Sequence, residues 1–495
     1  MTLGTLVLNI AIVAILLTAL IRLVFKREEA LWMIFIQSFC GSLFIFSGWV
    51  KAVDPLGTAY KMEQYFAEFN YTFQDTMMSF IAPLFPFLSD YAVSFSVVMI
   101  VFEIVLGLAL LIGAYRRTTA WAFFILTLFF TVLTGFTYLT GYVPSGANFF
   151  AFAEWTQYNE NNMRVTDCGC FGDFIKLKPK VSFLKDVALL VPAILFIVFN
   201  DKLYRLFSPG VRLLSVSGLA VITLIYCFSN YVWDIPHIDF RPFKEGADIR
   251  AQYKAEQDAM AESYQIKAWK LRNKETGNIV EVSNKVYMAE VSDKYNRNEW
   301  EVVEQITGEP SIPITKISDF QFTDSRGNDK AQELLNYEGT TVMIVSYKLK
   351  GEYGDQEVTV KDTAFMMDTI LTEQGDTVEV RDGISRIEDK QVTKGMWTWD
   401  EDFKDAYTEV VNPFVSLAQN RGAEVMALVG GAGLKKIRQF ESDINATYPF
   451  YEADDILLKT IVRSNPGIVV WKDGKIIAKW HYKKLPEFSE VEEMF

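Results

Sequence analysis

Two cysteines one residue apart, Cys168 and Cys170, are the residues best able to do chemistry in this 495-residue chain. They sit in Asp167-Cys168-Gly169-Cys170-Phe171-Gly172-Asp173, where a bridge between them closes a tight ring and Gly169 supplies the backbone freedom that such a ring demands. Strained disulfides exchange readily, so the pattern points to thiol–disulfide redox chemistry by thiolate attack through a mixed disulfide. Two other readings stay open: a fixed bridge that pins the loop, and a metal pair. The metal reading is short of ligands, because the chain has only two histidines, His237 and His481, and no metal is assigned. The flanking Asp167 and Asp173 disfavour a fast thiolate, and nearby lysines would offset them.

Glu103 is the second such residue. It falls near the centre of an apolar run, in Val101-Phe-Glu-Ile-Val105, where a carboxylate is costly and faces a protein interior or a functional cavity. It reads either as a protonated Glu hydrogen-bonded to a neighbouring helix or as a proton- or quinone-linked group. Lys51 and Asp54, at the end of another apolar run, read as interface markers first and site residues second. Cys40 and Cys227 lie inside apolar runs and read as packing residues, with a second redox pair as the alternative. His481 reads as an ordinary surface or edge residue. Neither histidine has a Ser or Cys partner at a triad spacing, and Gly430-Gly431-Ala-Gly433 lacks the Lys-Ser/Thr of a phosphate loop.

The elements that position these residues follow from how charge and apolarity are distributed. Residues 1–233 hold 15 Lys and Arg against 14 Asp and Glu, whereas the remainder holds 33 against 47. With half the chain apolar and mean hydropathy +0.13, an apolar first half joined to an acidic second half excludes a basic nucleic-acid binder and a simple cytosolic globule. Six apolar runs are long enough to cross a bilayer: Leu3–Leu23, Leu31–Val50, Ala92–Ala114, Thr119–Tyr142, Phe183–Phe199 and Leu213–Trp233. The first run lacks a preceding basic residue and is too long for a signal-peptide core, so it is expected to stay as a helix. Lys26-Arg27, Arg116-Arg117 and the set Lys202, Arg205 and Arg212 place three loops in the cytoplasm by the positive-inside rule. The N-terminus, the loops 51–91 and 143–182, and everything after Trp233 then lie outside. Lys176, Lys178, Lys180 and Lys185 resist that scheme.

In the second half, residues 234–330 read as a β-rich connector. It holds a polar helix at Ala251–Tyr264, a hairpin at Gln265–Arg272 and Asn278–Ser283, and a second at Ile317–Phe322 with the turn Ser325–Asn328. Residues 331–495 alternate strands and helices: Thr341–Tyr347 and Glu424–Val429 as strands, Asp402–Asn420 and Leu434–Asn445 as helices. Ile468–Trp471 and Lys475–Trp480 pair around Asp473-Gly474, which makes an α/β sandwich. The acidic stretch 351–400 carries no assignable pattern.

The first 240 residues resemble the DoxX/MauE superfamily of small helical membrane proteins. The resemblance rests on Phe46-Ser-Gly-Trp-Val-Lys-Ala-Val-Asp-Pro-Leu-Gly57, on Glu103 followed by Gly107 and Gly113, and above all on Asp167–Asp173. It implies a four-helix core similar to that of vitamin K epoxide reductases, and roles in periplasmic thiol redox, methylamine dehydrogenase maturation or quinone-dependent oxidation. Cys168, Cys170 and Glu103 are the matching positions. Residues 331–495 resemble the thioredoxin fold, with Pro466 of Ser464-Asn-Pro-Gly467 at the place of its cis-proline, and the whole resembles large DoxX-like proteins of Bacteroidetes. No Cys-x-x-Cys follows Thr341–Tyr347 and no cysteine follows Cys227, so this domain does no dithiol chemistry itself.

The expected protein is therefore a six-span α-helical membrane bundle with an extracytoplasmic thioredoxin-like domain, in a bacterial inner membrane with N-terminus and second half periplasmic. It would cycle Cys168 and Cys170 at the outer face, exchange electrons with a partner such as a quinone near Glu103, and hold a periplasmic or membrane protein client. The rival is a non-enzymatic assembly or scaffold subunit. A proton-coupled transporter centred on Glu103 is a third idea, weakened by the lack of an inverted repeat.

Overall fold

A segment that crosses a bilayer must satisfy its own backbone hydrogen bonds and needs about 20 apolar residues, which restricts the first half of this chain to long helices. The computed structural model describes residues 2–74, 76–165, 169–371 and 377–495. The chain divides into two compact units, Met1–Ala247 with Thr460–Ser464, and Asp248–Lys459 with Asn465–Phe495.

The first unit contains α1 (Leu3–Leu23), α2 (Leu31–Val53), α3 (Pro55–Gln74), α4 (Ala92–Ile112), α5 (Arg116–Thr140), α6 (Pro179–Val198) and α7 (Pro209–Phe228), the last continued by a π turn to Trp233. Among the described residues six helices are long and apolar enough to span a membrane, all but α3, and the region is a multi-pass membrane domain. The window of α2 is 67% buried and that of α4 61%, against 22% for α1 and α6 and 11% for α7, so α2 and α4 form the centre. The outer helices leave Leu16, Val191 and Ile222 exposed, as a surface facing lipid chains requires.

Glycine lets the two central helices approach. A Cβ on Gly107 would stand 2.8 Å from the Gly41 carbonyl oxygen and from the Ile45 nitrogen, and one on Gly48 would stand 2.5 Å from Ile104 Cγ1. Small residues at such contacts give backbone-to-backbone packing where no hydrophobic force distinguishes protein from lipid. Cys40 joins Met33, Phe44 and Phe123 in one core, and Cys227 joins Ala52, Ile100 and Ile104 in another; both are free thiols.

The second unit is β-rich. Helix α8 (Ile249–Ser263) leads into an antiparallel sheet of β1 (Ile266–Asn273), β2 (Ile279–Ser283) and β3 (Trp300–Thr307), in the order β2-β1-β3. A larger sheet has the order β11-β10-β5-β8-β9-β4 among the described residues, built from β4 (Phe322–Thr323), β5 (Thr340–Ser346), β8 (Glu424–Gly430), β9 (Phe450–Ala453), β10 (Gly467–Lys472) and β11 (Lys475–His481). Strands β5, β8 and β9 run parallel, and β4, β10 and β11 are antiparallel to their neighbours. Every residue of β5 is buried, as a central strand covered on both faces must be. Helices α9 (Asn412–Asn420), α10 (Gly433–Asp443) and α11 (Asp455–Ile461) accompany this sheet. Tyr407, Phe440 and Val415 pack on Val342, Ile344 and Val425 in its core. The hairpin β10–β11 turns through Asp473 and Gly474 at φ 53° and 77°, both left-handed, as a two-residue type I′ turn needs.

Three details differ from the sequence expectations or extend them. Phe322 does not complete a second connector hairpin: it pairs with Ala453 of β9 in the larger sheet, held by ring contacts of Phe322 with Tyr451 and of Phe320 with Trp471. The unassigned stretch 351–400 forms one long antiparallel ribbon, β6 (Gly351–Leu371) with β7 (Thr377–Trp399). His481 lies on the edge strand β11 but is not a surface residue: it is 4% exposed, with its Nδ1 accepting from the Lys483 amide.

Burial, with Lys483 nearby, pushes the His481 imidazole down to about 4 from 6.5. The fold therefore prefers the neutral ring, and its stabilisation is complete above the unfolded value and lost as pH falls from about 6.5 toward 4, by about 3 kcal/mol in all. Limited proteolysis of the purified chain should cut the β11 region faster near pH 5 than near pH 7.5, and His481→Phe should remove that difference. Gly107→Leu should lower the thermal stability of the membrane unit by about 1–3 kcal/mol through overpacking against α2, measured as a melting shift in micelles.

Candidate functional site

Two ion pairs meet at one cavity among the spans of the membrane unit. Lys51 lies in the last turn of α2, where a cation is favoured by the negative end of the helix, and its Nζ donates to Glu103 Oε2 of α4 at 2.7 Å. The two side chains are 3% and 2% exposed. On α6, Lys185 pairs with the adjacent Asp186, which is itself 2% exposed. Thr134 Oγ1 of α5 lies 3.0 Å from Asp186 Oδ2. Aromatic faces cover both cations: Lys51 stands 4.6 Å from the Phe130 ring centre and Lys185 5.6 Å from that of Phe171.

Lys51, Glu103, Lys185, Asp186, Ser47 and Cys170 line one cavity of about 20 Å³. That volume holds roughly one water. The loop carrying Cys170 is tied down by Ser47 Oγ, which donates to the Cys170 carbonyl oxygen at 3.0 Å, and by Phe171, which packs on Leu43 and Leu6. Gly169 has φ 62°, a left-handed conformation that the residue between the two cysteines adopts at little cost. Cys170 is a free thiol. Burial pushes the thiol up, Lys185 opposes that shift, and Asp186 adds to it, with Lys51 and Glu103 acting more weakly in the same two senses. Two ammonium and two carboxylate groups thus face one sulfur, so a thiolate formed there finds cations beside it and its proton finds carboxylates.

The structure brings together Lys51, Glu103 and Cys170 of the residues singled out by sequence. Cys168 lies outside the described residues. Asp54 lies apart from the cavity: Arg463, on the segment Thr460–Ser464 of the same unit, donates to both its oxygens at 2.8 to 2.9 Å. Burial opposes ionisation of Asp54, but Arg463 outweighs it and holds the carboxyl below its ordinary value. Pro466 follows a cis peptide bond in the second unit and does not line the cavity. Sequence reasoning missed Asp186 and treated Lys185 as an anomaly of the charge pattern. That anomaly was the available signal: a lysine just inside an apolar run beside an aspartate is a candidate buried pair.

A quinone ring is several times larger than a water and does not fit this cavity.

Residues 33–135 match the DoxX family model. The matched stretch carries α2 and α4 with most of α5, and hence Lys51, Glu103 and Thr134; Cys170, Lys185 and Asp186 lie beyond it. No curated protein and no solved structure matches the chain.

Removing one member of a buried ion pair leaves the other charge uncompensated, at about 3–5 kcal/mol. Lys51→Met and Glu103→Gln should each destabilise the membrane unit by that order in micelle unfolding titrations. The double variant should recover most of the loss; additive losses would show that the two groups are not coupled.

Proposed function

We propose that this DoxX-domain membrane protein performs thiol–disulfide exchange with Cys168 and Cys170 at the outer face of a bacterial inner membrane. The observation that carries the reading is the position of Cys170 among Lys51, Glu103, Lys185 and Asp186, beside a cavity that holds about one water. In the oxidised form a client thiolate attacks the Cys168 sulfur. The Cys168–Cys170 bond breaks, a bond between Cys168 and the client forms, and Cys170 leaves as a thiolate. Lys185 and Lys51 stabilise that thiolate, which then takes from solvent the proton that the client thiol lost on ionising. A second client thiolate attacks the mixed disulfide, giving the client its disulfide and releasing Cys168.

In sum, two client thiols become one disulfide while the chain's disulfide becomes two thiols. A more oxidising protein disulfide restores the bridge by the same exchange in reverse. Cys170 is the leaving sulfur in this scheme: burial raises its pKa and opposes its departure as a thiolate, and Lys185 and Lys51 beside it offset part of that cost. The second unit fits the role of a thioredoxin-like module that holds the client. Its sheet order supports this, with β5 between parallel β8 and antiparallel β10, and so does its lack of cysteine.

Cys170→Ser removes the resolving sulfur, so Cys168 should accumulate a mixed disulfide with the protein disulfide that reoxidises the chain, visible as a reductant-sensitive adduct on non-reducing gels. Cys168→Ser/Cys170→Ser should show none. If no adduct forms, and thiol labelling of the parent protein is the same under oxidising and reducing conditions, the exchange reading fails.

A further inference from the structure

The opposite end of the α5–α6 pair carries a second polar site that the exchange reading does not use. Thr134 of α5 meets Asp186 of α6 near the sulfur site, and 18 residues of helix, about 27 Å at the usual rise, separate Thr134 from Arg116. That is close to one hydrocarbon thickness, so Arg116 lies at the other membrane surface. There a cleft of about 710 Å³ is lined by Arg116, Arg117 and Arg205, with Asp201 as the carboxylate among them and Tyr115 and Trp121 at its margin.

Three features favour an anion in this cleft. Of the charged groups lining the cleft, three are guanidinium groups and one is a carboxylate, with Arg212 and the Glu29 carboxylate also acting on Arg116. Arg116 Nη1 donates to the backbone carbonyl of Asp201 at 2.7 Å rather than to its carboxylate, and Arg116 Nε is buried with no acceptor. Helix α5 also begins here with Arg116-Arg117, has no acidic residue in its first turn, and receives no side-chain cap from Tyr115. Cations at the positive end of a helix repel its dipole, so an anion bound there is favoured by the guanidinium groups and by the helix end together. Tyr115 and Trp121 are 59% and 46% exposed, the amphipathic aromatics that sit at the level of lipid headgroups.

We propose that this cleft binds the phosphate of an anionic phospholipid headgroup, with Arg116, Arg117 and Arg205 as its ligands. Guanidinium forks suit a phosphodiester's paired oxygens, and basic pockets between spans recognise such headgroups. The cleft is wide enough for the glycerol portion as well, and its exposed aromatics adjoin the acyl region.

The test uses the full-length protein in neutral detergent micelles. Thermal unfolding is followed while short-chain phosphatidylglycerol, short-chain phosphatidylcholine or inorganic phosphate is added at constant ionic strength. The expected result is a rise in melting temperature with phosphatidylglycerol and none with phosphatidylcholine. An equal rise with inorganic phosphate would assign the same three arginines to a free phosphate ion rather than a lipid. Arg205→Gln and Arg117→Gln, both outside the buried contact of Arg116, should each weaken binding about fivefold, and Arg116→Gln more. Lys285→Gln, an exposed charge of the second unit, should leave it unchanged. The proposal is overturned if neither anion shifts the melt, or if the arginine variants keep the full shift. Should Arg116→Gln fail to fold, lipid retention by Arg205→Gln in native mass spectrometry gives the same decision.

Discussion

Four charges inside a helical bundle have to neutralise one another, and that requirement organises the membrane half of this protein. Moving a carboxylate or an ammonium out of water costs several kcal/mol, and only close pairing offsets it. Lys51 on α2 and Glu103 on α4 meet at 2.7 Å because those two helices touch backbone to backbone at Gly41 and Gly107. A bulkier residue at either glycine would hold the helices apart and leave two charges stranded. Close packing and charge pairing are therefore one constraint, expressed once in small residues and once in ionic ones.

The second pair enlarges this constraint into a site. Lys185 and Asp186 are neighbours on α6, so their pairing needs no tertiary contact, but their burial does: it requires α5 to bring Thr134 to Asp186 and the loop to lay Phe171 over Lys185. What results is an overall neutral cluster of four ionisable groups around a cavity the size of one water, which Cys170 also lines. Neutrality makes the cluster tolerable in a low-dielectric interior, and a proton passed between the sulfur and a carboxylate leaves the summed charge of sulfur and cluster unchanged.

The second unit obeys different rules. Its centre is a strand buried on both faces, β5, flanked by parallel β8 and antiparallel β10, and it carries aromatic residues where the first unit carries charges. The long ribbon of β6 and β7 departs from that sheet at Gly351 and rejoins it at Trp399, whose ring packs on Phe440 of α10. Near its base, Glu352–Asp355 and Gln391–Lys394 are exposed on both faces, so no two-residue period marks that part in the sequence.

Much of this arrangement is written locally. The six spans follow from runs of about 20 apolar residues, the β10–β11 hairpin from Asp473-Gly474, and the inertness of the second unit toward dithiol chemistry from its lack of cysteine after Cys227. Glu103 stood out for the same local reason, a carboxylate in the middle of an apolar run. The partners of Glu103 and Cys170 were not legible, because which faces of α2, α4 and α6 turn inward depends on helix packing, and six apolar helices offer many pairings of similar hydrophobicity. Lys51 read as an interface residue and proved buried; His481 read as a surface or edge residue and proved buried; Asp186 did not register. In each case the residue's type set what it needed, a counter-charge or a hydrogen bond, and only the close approach of elements distant in the chain decided where that need was met.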